Sequence, residues 1–337
     1  MVGQILAPLA VTMGDPAGIG PEVTLAAWES LRMAHPFAVL GDPDHFAALA
    51  ATLGRAVPVR SVETLAEAAA VFSRALPVLP ERLAAPVMPG RADARHAPAI
   101  VASVERAVAL ARSGAAAAVV TNPLAKTTLL DAGIGHTGHT MWLKDLAGGG
   151  TPVMMLAGPM LRVVPVTVHI PLADVPRALT TEAIVEAGRI TAGALAADFG
   201  LAAPRLAIAG LNPHAGESGT VGREEIDIIA PAVAQLRADG IAATGPHPGD
   251  SLFHAAARAT YDAALCMYHD QALIPIKALD FANAVNVTLG LSIVRTSPDH
   301  GTAYGIAGTG RADPTSLIAA LVMAAEIAGR RGSRVAA

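Results

Sequence analysis

Short apolar runs alternate with longer amphipathic windows along most of the chain. An apolar run of strand length covers residues 4–13, and a glycine-rich turn separates it from a helix that begins near Pro21. Between residues 161 and 330, apolar runs of strand length alternate with helical windows such as Thr181–Phe199 and Val221–Ala238. Alternation of this kind is typical of βαβ units. The pattern therefore predicts an α/β fold with a mostly parallel sheet.

Three of the predicted strands lead into a histidine. The apolar runs that end near residues 168, 211 and 268 are followed by His169, His214 and His269. Because the carboxyl ends of parallel strands meet at one edge of a sheet, these histidines are expected to converge there. Imidazoles gathered in this way suit a divalent transition metal that keeps one position open for a substrate. Their spacing matches no short zinc motif, so a metal site and ordinary loop histidines remain equal alternatives at this point.

Charged and polar residues interrupt the apolar segment between residues 266 and 310. They include Lys277, Asn286, Arg295 and Asp299. A buried charge without a partner costs several kcal/mol, so such a segment lines a site more often than it fills a core. The structural alternative is that the long cationic side chains extend to solvent.

Other motifs admit both a structural and a functional interpretation. The turn at residues 14–20 lies between a strand and a helix, which suits anion binding, but its glycine spacing is neither a dinucleotide-binding nor a P-loop pattern. His139 and Thr140 either contact a ligand or begin a helix as its N-cap. Asp250 is either a helix cap or a carboxylate near a metal. Three further histidines have polar neighbours, and we expect them on the surface: His35, His45 and His96.

Composition limits the class of protein. At 337 residues the chain is long for one core, so we expect two lobes. Charged residues make up 15% and the net charge is −4, which gives no electrostatic basis for binding nucleic acid. We find no apolar run of the roughly 18 residues that a membrane-spanning helix needs, and we expect no signal peptide. Cys266 is the single cysteine, which excludes disulfides within the chain and favours a reducing cytoplasm.

Several motifs, taken together and in this order, resemble one known family. They are MGDPAGIGPE, TNPLAK, TGHT, the strand-end His169, LNPHAGE followed by GREE, YHDQ, NVTLGL, RTS and DHGTA. The chain resembles the 4-hydroxythreonine-4-phosphate dehydrogenase family of pyridoxal phosphate (vitamin B6) biosynthesis over almost its whole length. It departs from the family pattern at Met141, where Glu is usual, and at Tyr304-Gly305, where Leu-Asp is usual.

The resemblance implies a fold similar to that of the isocitrate and isopropylmalate dehydrogenases. Such a fold has two α/β/α lobes with a mostly parallel sheet and a cleft between the lobes. We place the first lobe at residues 1–150 plus 300–337, and the second, which carries the metal histidines, at residues 151–299. The resemblance also implies a cytoplasmic homodimer with a shared active site.

The same resemblance implies a set of site residues. The metal ligands would be His169, His214 and His269. Lys277 and Asp250 are the candidates for proton transfer. The implied substrate contacts are His139, Thr140, Lys277, Asn286 and Arg295. The implied NAD or NADP contacts are Asp299, His300, Gly301, Thr302 and Ala303. Zinc is the expected metal, with magnesium and cobalt as alternatives.

The implied reaction is a metal-dependent oxidation by NAD(P). 4-Phosphohydroxy-L-threonine becomes 2-amino-3-oxo-4-phosphooxybutanoate, which decarboxylates to 3-amino-2-oxopropyl phosphate. The alternative substrate is a four-carbon acid phosphate or an aromatic cis-dihydrodiol, oxidised by a related dehydrogenase of the same family. A non-catalytic anion receptor is disfavoured because it has no use for three strand-end histidines. A hydrolase or acyltransferase is disfavoured because no nucleophile motif is present.

Overall fold

A computed structural model describes residues 7–131, 133 and 139–335 of the protein. The strands are β1 Leu9–Thr12, β2 Phe37–Gly41, β3 Val59–Ser61, β4 Leu76–Pro80, β5 Val119–Thr121, β6 Val153–Ala157, β7 Arg162–Pro165, β8 Arg205–Ala209, β9 Ala242–His247, β10 Ala263–Cys266, β11 Val285–Leu289 and β12 Arg295–Pro298. The α-helices are α1 Gly20–Leu31, α2 Pro43–Thr52, α3 Leu65–Val71, α4 Ala97–Arg112, α5 Lys126–Asp131, α6 His139–Leu146, α7 Val175–Ala178, α8 Thr181–Ala197, α9 Ala230–Ala238, α10 Gly249–Leu252, α11 Ala255–Arg258, α12 His269–Leu279 and α13 Thr315–Val335.

The chain divides into two compact units. Unit 1 comprises Met1–Pro152 and Leu291–Gly332, and unit 2 comprises Val153–Gly290 and Ser333–Ala337. The boundary expected from the sequence at residues 299 and 300 lies, in the structure, between Gly290 and Leu291. Arg295 and the segment that starts at Asp299 therefore belong to unit 1.

Strands of unit 1 that are paired with one another are parallel. Their order is β3-β4-β2-β1-β5-β12. The central strands β1 and β2 are buried along their full length, as expected of parallel strands that helices cover on both faces. Helix α4 buries one apolar face, which includes Ile100, Val104 and Val108, in the core of this unit.

Unit 2 contains a mixed sheet in the order β11-β6-β7-β10-β8-β9. Strand β6 is antiparallel to both of its neighbours, whereas the pairs β7-β10, β10-β8 and β8-β9 are parallel. The core of this unit includes Val163, Ala264 and Cys266 from the central strands and Ile276 from α12. The three strands that precede the predicted metal ligands are therefore direct neighbours with the same direction.

The α/β class and the mostly parallel arrangement of strands confirm the fold predicted from the hydrophobic pattern. Capping residues explain several of the helix starts. Thr180 precedes α8 and its hydroxyl accepts a hydrogen bond from the backbone N–H of Ala183, and Asp42 caps α2 through the N–H of Asp44. Among the described residues, no helix combines the length and the hydropathy that crossing a membrane requires.

Candidate functional site

The predicted metal ligands lie just beyond the carboxyl ends of three adjacent strands of unit 2. His169 follows β7, His269 is the first residue of α12 after β10, and His214 follows β8. His269 is half-buried, whereas His169 and His214 are exposed. Since β7, β10 and β8 are parallel neighbours, the topology brings all three segments to one edge of the sheet.

His169 and His269 face each other. Their ring centroids are 5.6 Å apart, and both rings line a cavity of about 250 Å³ together with Tyr268 and Asp270. The Nδ1 atom of His269 lies 2.7 Å from Oδ1 of Asp270. A carboxylate in this position orients an imidazole and leaves its Nε2 atom to bind a ligand, an arrangement common among metal-binding histidines.

His214 lies in a strained turn. Five consecutive residues, from His214 to Ser218, have φ between 41° and 76°, in the left-handed region that costs L-residues other than glycine roughly 1–2 kcal/mol each. Gly216 is needed at the middle of this turn because a Cβ atom there would lie 2.6 Å from Oε2 of Glu225. Backbone strain of this kind persists only where the surrounding contacts maintain it.

The carboxylate of Glu225 maintains the start of the turn. This buried residue accepts hydrogen bonds from the backbone N–H groups of Leu211 and Asn212, each at 2.7 Å, and from Nδ2 of Asn212 at 2.9 Å. Glu224 accepts a further hydrogen bond from the same amide, which lowers the pKa of the Glu224 carboxyl group. The two acidic residues of the GREE motif thus hold the backbone that leads to His214.

The side chains gathered here are of the kind that binds divalent metals. Two imidazoles line one cavity, and one of them carries a carboxylate partner, as metal-binding histidines do. Within residues 7–131, 133 and 139–335, no three His, Cys, Asp or Glu side chains lie close enough together to hold a metal ion. The structure therefore brings His169 and His269 together and leaves His214 outside a three-ligand group in the single chain.

The other candidate residues of unit 2 lie in three different elements. Lys277, in α12, is half-buried, and its Nζ atom lies 5.4 Å from the centroid of the Phe281 ring. Asn286 is half-buried in β11, opposite Leu156 of β6. Asp250 is exposed in the first turn of α10. The N-cap of α10 is Pro248, so Asp250 is not the helix cap that one interpretation of the sequence expected.

Arg295 of unit 1 is buried at the start of β12. Its side chain reaches along the neighbouring strand β5, and Nη2 donates a hydrogen bond of 2.6 Å to the Thr121 hydroxyl. Burial lowers the pKa of the guanidinium from 12.5 to about 10. Helix α6 begins at His139, as expected of a motif at a helix start, while the side chains of His139 and Thr140 lie outside what the structure describes.

The predicted cofactor segment, Asp299–Ala303, is held at both ends. The backbone N–H of Asp299 donates to the Ser316 hydroxyl at 3.2 Å, and the Thr302 carbonyl accepts from the N–H of Ile19 at 2.9 Å. Gly301 is exposed, and no atom lies within 4 Å of a Cβ atom built on it. The buried Nε2 atom of His300 has no hydrogen-bond partner. An open backbone and an unsatisfied ring nitrogen fit a segment that receives a polar ligand.

The turn at residues 14–20 is a buried support for this segment. Four of its N–H groups donate within the protein: Asp15 to the Pro123 carbonyl, Ala17 and Gly18 to Asp15, and Ile19 to Thr302. The Asp15 carboxylate also accepts hydrogen bonds from the Tyr304 hydroxyl at 2.7 Å and the Thr128 hydroxyl at 2.8 Å. These contacts favour the structural interpretation of the turn over that of an anion-binding loop.

Some residues near the site were not identified from the sequence. Glu225 and Asp15 lie in recognised motifs, but only the structure shows which donors they bind. His96 was expected on the surface and is buried, with 1% of its area exposed, because it precedes α4 and packs inside unit 1. His45 and His35 are half-buried, and burial lowers the pKa values of His45 and His96.

Comparisons with known proteins agree with the motifs. The family model of the pyridoxal phosphate biosynthetic protein PdxA matches residues 32–324. The 4-hydroxythreonine-4-phosphate dehydrogenase of Caulobacter vibrioides is 56% identical over 332 residues, which cover 96% of this chain and 98% of that protein. The protein of the same name from Erythrobacter litoralis is 54% identical over 98% of this chain and 99% of its own length.

Solved structures give the same result. The crystal structure of 4-hydroxythreonine-4-phosphate dehydrogenase from Klebsiella pneumoniae has a TM-score of 0.86 and 38% identity, and the match covers 96% of this chain and 99% of that one. Sequence and fold therefore agree along nearly the whole length of the chain. The chain belongs to the family of the pyridoxal phosphate biosynthetic protein PdxA.

Proposed function

We propose that the protein is a 4-hydroxythreonine-4-phosphate dehydrogenase that acts in the biosynthesis of pyridoxal 5′-phosphate. The observation that carries the proposal is the 56% identity with a protein of that name over 96% of this chain. The substrate is 4-phosphohydroxy-L-threonine, and the oxidant is a nicotinamide cofactor, NAD or NADP. The product, 2-amino-3-oxo-4-phosphooxybutanoate, is a β-keto acid and loses carbon dioxide to give 3-amino-2-oxopropyl phosphate.

The proposal assigns His169, His214 and His269 to one divalent metal, with zinc expected and magnesium or cobalt as alternatives. The shared cavity of His169 and His269 supports this assignment, as does the carboxylate partner of His269. A metal held by neutral imidazoles would supply Lewis-acid polarisation of the substrate hydroxyl.

Within unit 2, the remaining roles concern the proton and the substrate. Oxidation of a secondary alcohol releases the hydroxyl proton, and we assign its acceptance to Lys277 or Asp250. Asn286 is half-buried in β11 and is assigned to bind a polar group of the substrate.

Within unit 1, we assign His139, Thr140 and Arg295 to substrate binding and the segment Asp299–Ala303 to the nicotinamide cofactor. A guanidinium recognises phosphate or carboxylate through two parallel hydrogen bonds, which suits the anionic groups of this substrate. The exposed backbone at Gly301 and the unsatisfied Nε2 atom of His300 support the cofactor assignment.

The proposal includes a cytoplasmic homodimer with a shared active site. Sedimentation at assay concentrations tests the dimer, and a fully active monomer would contradict it. Mixing His214→Ala subunits with His269→Ala subunits tests the sharing, because His169 and His269 line one cavity of the same chain and His214 lies outside that group. Activity returns only if those two ligands of one site come from different chains.

Metal content and turnover test the central assignment. Purified His169→Ala, His214→Ala and His269→Ala should each lose the bound metal and the reduction of NAD(P) by 4-phosphohydroxy-L-threonine. His254→Ala is the matched control, because His254 is an exposed histidine of the same unit whose side chain makes no capping contact. A histidine whose alanine variant kept stoichiometric metal and wild-type turnover would have to leave the site. Four-carbon acid phosphates and cis-dihydrodiols, assayed in parallel, test the identity of the substrate.

A further inference from the structure

His169, His269 and His214 lie in three segments that follow β7, β10 and β8. The distances between these segments depend on the contacts that join the ends of the three strands. The β-ladders of β7, β10 and β8 end at or near Pro165, Cys266 and Ala209, before any of the histidines is reached. Just beyond those residues, the backbone N–H groups of Val166 and Thr167 still donate to the carbonyls of Cys266 and Met267. These bonds and further contacts between the strand ends determine the distances between the segments.

One side chain joins two of these strand ends directly. Gln271, in the first turn of α12, accepts a hydrogen bond of 2.6 Å from the backbone N–H of Met267 through Oε1. Its Nε2 atom donates a hydrogen bond of 2.7 Å to the carbonyl of Gly210. Met267 follows β10 directly, and Gly210 follows β8 directly. The amide therefore connects the segment that leads to His269 with the segment that leads to His214.

The connection continues to the third strand. The carbonyl of Met267 accepts a hydrogen bond of 2.7 Å from the Thr167 hydroxyl and one of 3.3 Å from the Thr167 N–H. Thr167 lies two residues before His169 and is buried. A continuous series of hydrogen bonds thus runs from Thr167 through Met267 and Gln271 to Gly210. It crosses the carboxyl ends of β7, β10 and β8 in their order in the sheet.

The chemistry of the position requires an amide. One end of the side chain meets an N–H donor and the other meets a carbonyl acceptor, and among side chains that do not titrate only Asn and Gln offer an acceptor and a donor on one planar group. A glutamate retains the contact with the N–H of Met267, since Glu and Gln reach back from the first turn of a helix equally well. It cannot donate to the Gly210 carbonyl. A methionine has a similar length and makes neither hydrogen bond.

We propose that Gln271 is a positioning residue for the histidine site and that its amide sets the separation between the His269 and His214 segments. The inference rests on the proposed function, because it takes these histidines as metal ligands. Residues that orient metal ligands in this way change metal affinity by about ten- to a hundredfold when they are replaced. The effect is therefore expected on metal binding itself, before any turnover.

The test compares the wild type with Gln271→Met and Gln271→Glu as full-length proteins freed of metal. Cobalt(II) is titrated into each protein in competition with a chelator, its visible absorption reports the ligand geometry, and thermal denaturation without metal reports the fold. We expect Gln271→Met and Gln271→Glu both to bind cobalt about ten- to a hundredfold more weakly, with an altered spectrum. A melting temperature above the temperature of the titration shows that each variant is folded when cobalt is added. Gln235→Met is the matched control, since Gln235 is exposed in α9 and its side chain donates to the Asp239 carboxylate at the surface.

The outcomes separate this inference from the proposed function. A wild type that bound no cobalt would overturn the metal assignment and this inference with it. If the wild type bound cobalt and both variants matched it, only the role of Gln271 would be wrong. If Gln271→Glu matched the wild type while Gln271→Met did not, the residue would act on the start of α12 alone, and the bridge to Gly210 would be refuted.

Discussion

Replacing Arg295 by methionine should separate substrate binding from stability. Arg295 is 5% exposed, and its guanidinium donates a hydrogen bond to Thr121 at the end of β5. A scaffold role predicts that its removal destabilises the protein. A ligand-binding role predicts that its removal weakens substrate binding and leaves the free protein as stable as before, or more stable.

The magnitude follows from the pKa of the buried guanidinium. Burial lowers this pKa from 12.5 to about 10. At about 1.4 kcal/mol for each pKa unit, the charged form costs the folded state roughly 3.5 kcal/mol. Because the folded pKa is depressed, this cost is fully present at neutral pH and is relieved only above about pH 10. Hydrogen bonds of the guanidinium, among them the one to Thr121, offset part of this cost, so Arg295→Met should leave the stability of the free protein unchanged or raise it by at most about 3 kcal/mol.

Thermal denaturation and steady-state kinetics measure the two effects on one sample. The melting temperature without ligands should stay close to that of the wild type or rise, by about 2–4 °C for each kcal/mol of stability gained. The Michaelis constant for 4-phosphohydroxy-L-threonine should rise about ten- to a hundredfold, which corresponds to the loss of one charged hydrogen bond.

Arg106→Met provides the contrast, because Arg106 donates to the Glu81 carboxylate at 3.0 Å and is half exposed. That variant should lose a little stability and keep its Michaelis constant. A large fall in the melting temperature of Arg295→Met, with an unchanged Michaelis constant, would place Arg295 in the scaffold and refute the reasoning.

Three further predictions follow from buried polar groups. Burial, and then the hydrogen bond to Asp15, raise the pKa of Tyr304 to about 12. The neutral hydroxyl therefore contributes fully to the stability of the fold below about pH 10, and this contribution is lost between about pH 10 and 12. In denaturant titrations, the difference in unfolding free energy between the wild type and Tyr304→Phe should shrink over that interval. Burial raises the pKa of the Cys266 thiol, so a thiol reagent should modify it only after unfolding, and rapid labelling of the native protein would contradict its position in the core. Glu225→Ala leaves two backbone N–H groups without their acceptor and should lower stability by about 1–3 kcal/mol in chemical denaturation. Glu105→Ala, at an exposed position in the middle of α4, should leave the stability nearly unchanged.

The sequence by itself determined the class of fold and the identity of the family. Alternating strand and helix patterns depend on local periodicity, which survives without knowledge of tertiary contacts. The three strand-end histidines were visible for the same reason, since each follows its own apolar run. Family membership was recognised from motifs that are contiguous in the chain, such as YHDQ and DHGTA, and the comparisons confirmed it.

Only the tertiary structure decided which partners the polar groups have. His96 has polar neighbours in sequence, yet it is buried because α4 packs into the core of unit 1. The left-handed turn at His214 depends on Glu225, eleven residues away in the chain. The amide of Gln271, just after β10, donates a hydrogen bond to the carbonyl of Gly210 at the end of the neighbouring strand β8. Periodicity specifies which face of an element is buried. It does not specify which donor meets which acceptor, because that depends on strand order and on the path of the chain beyond each strand end.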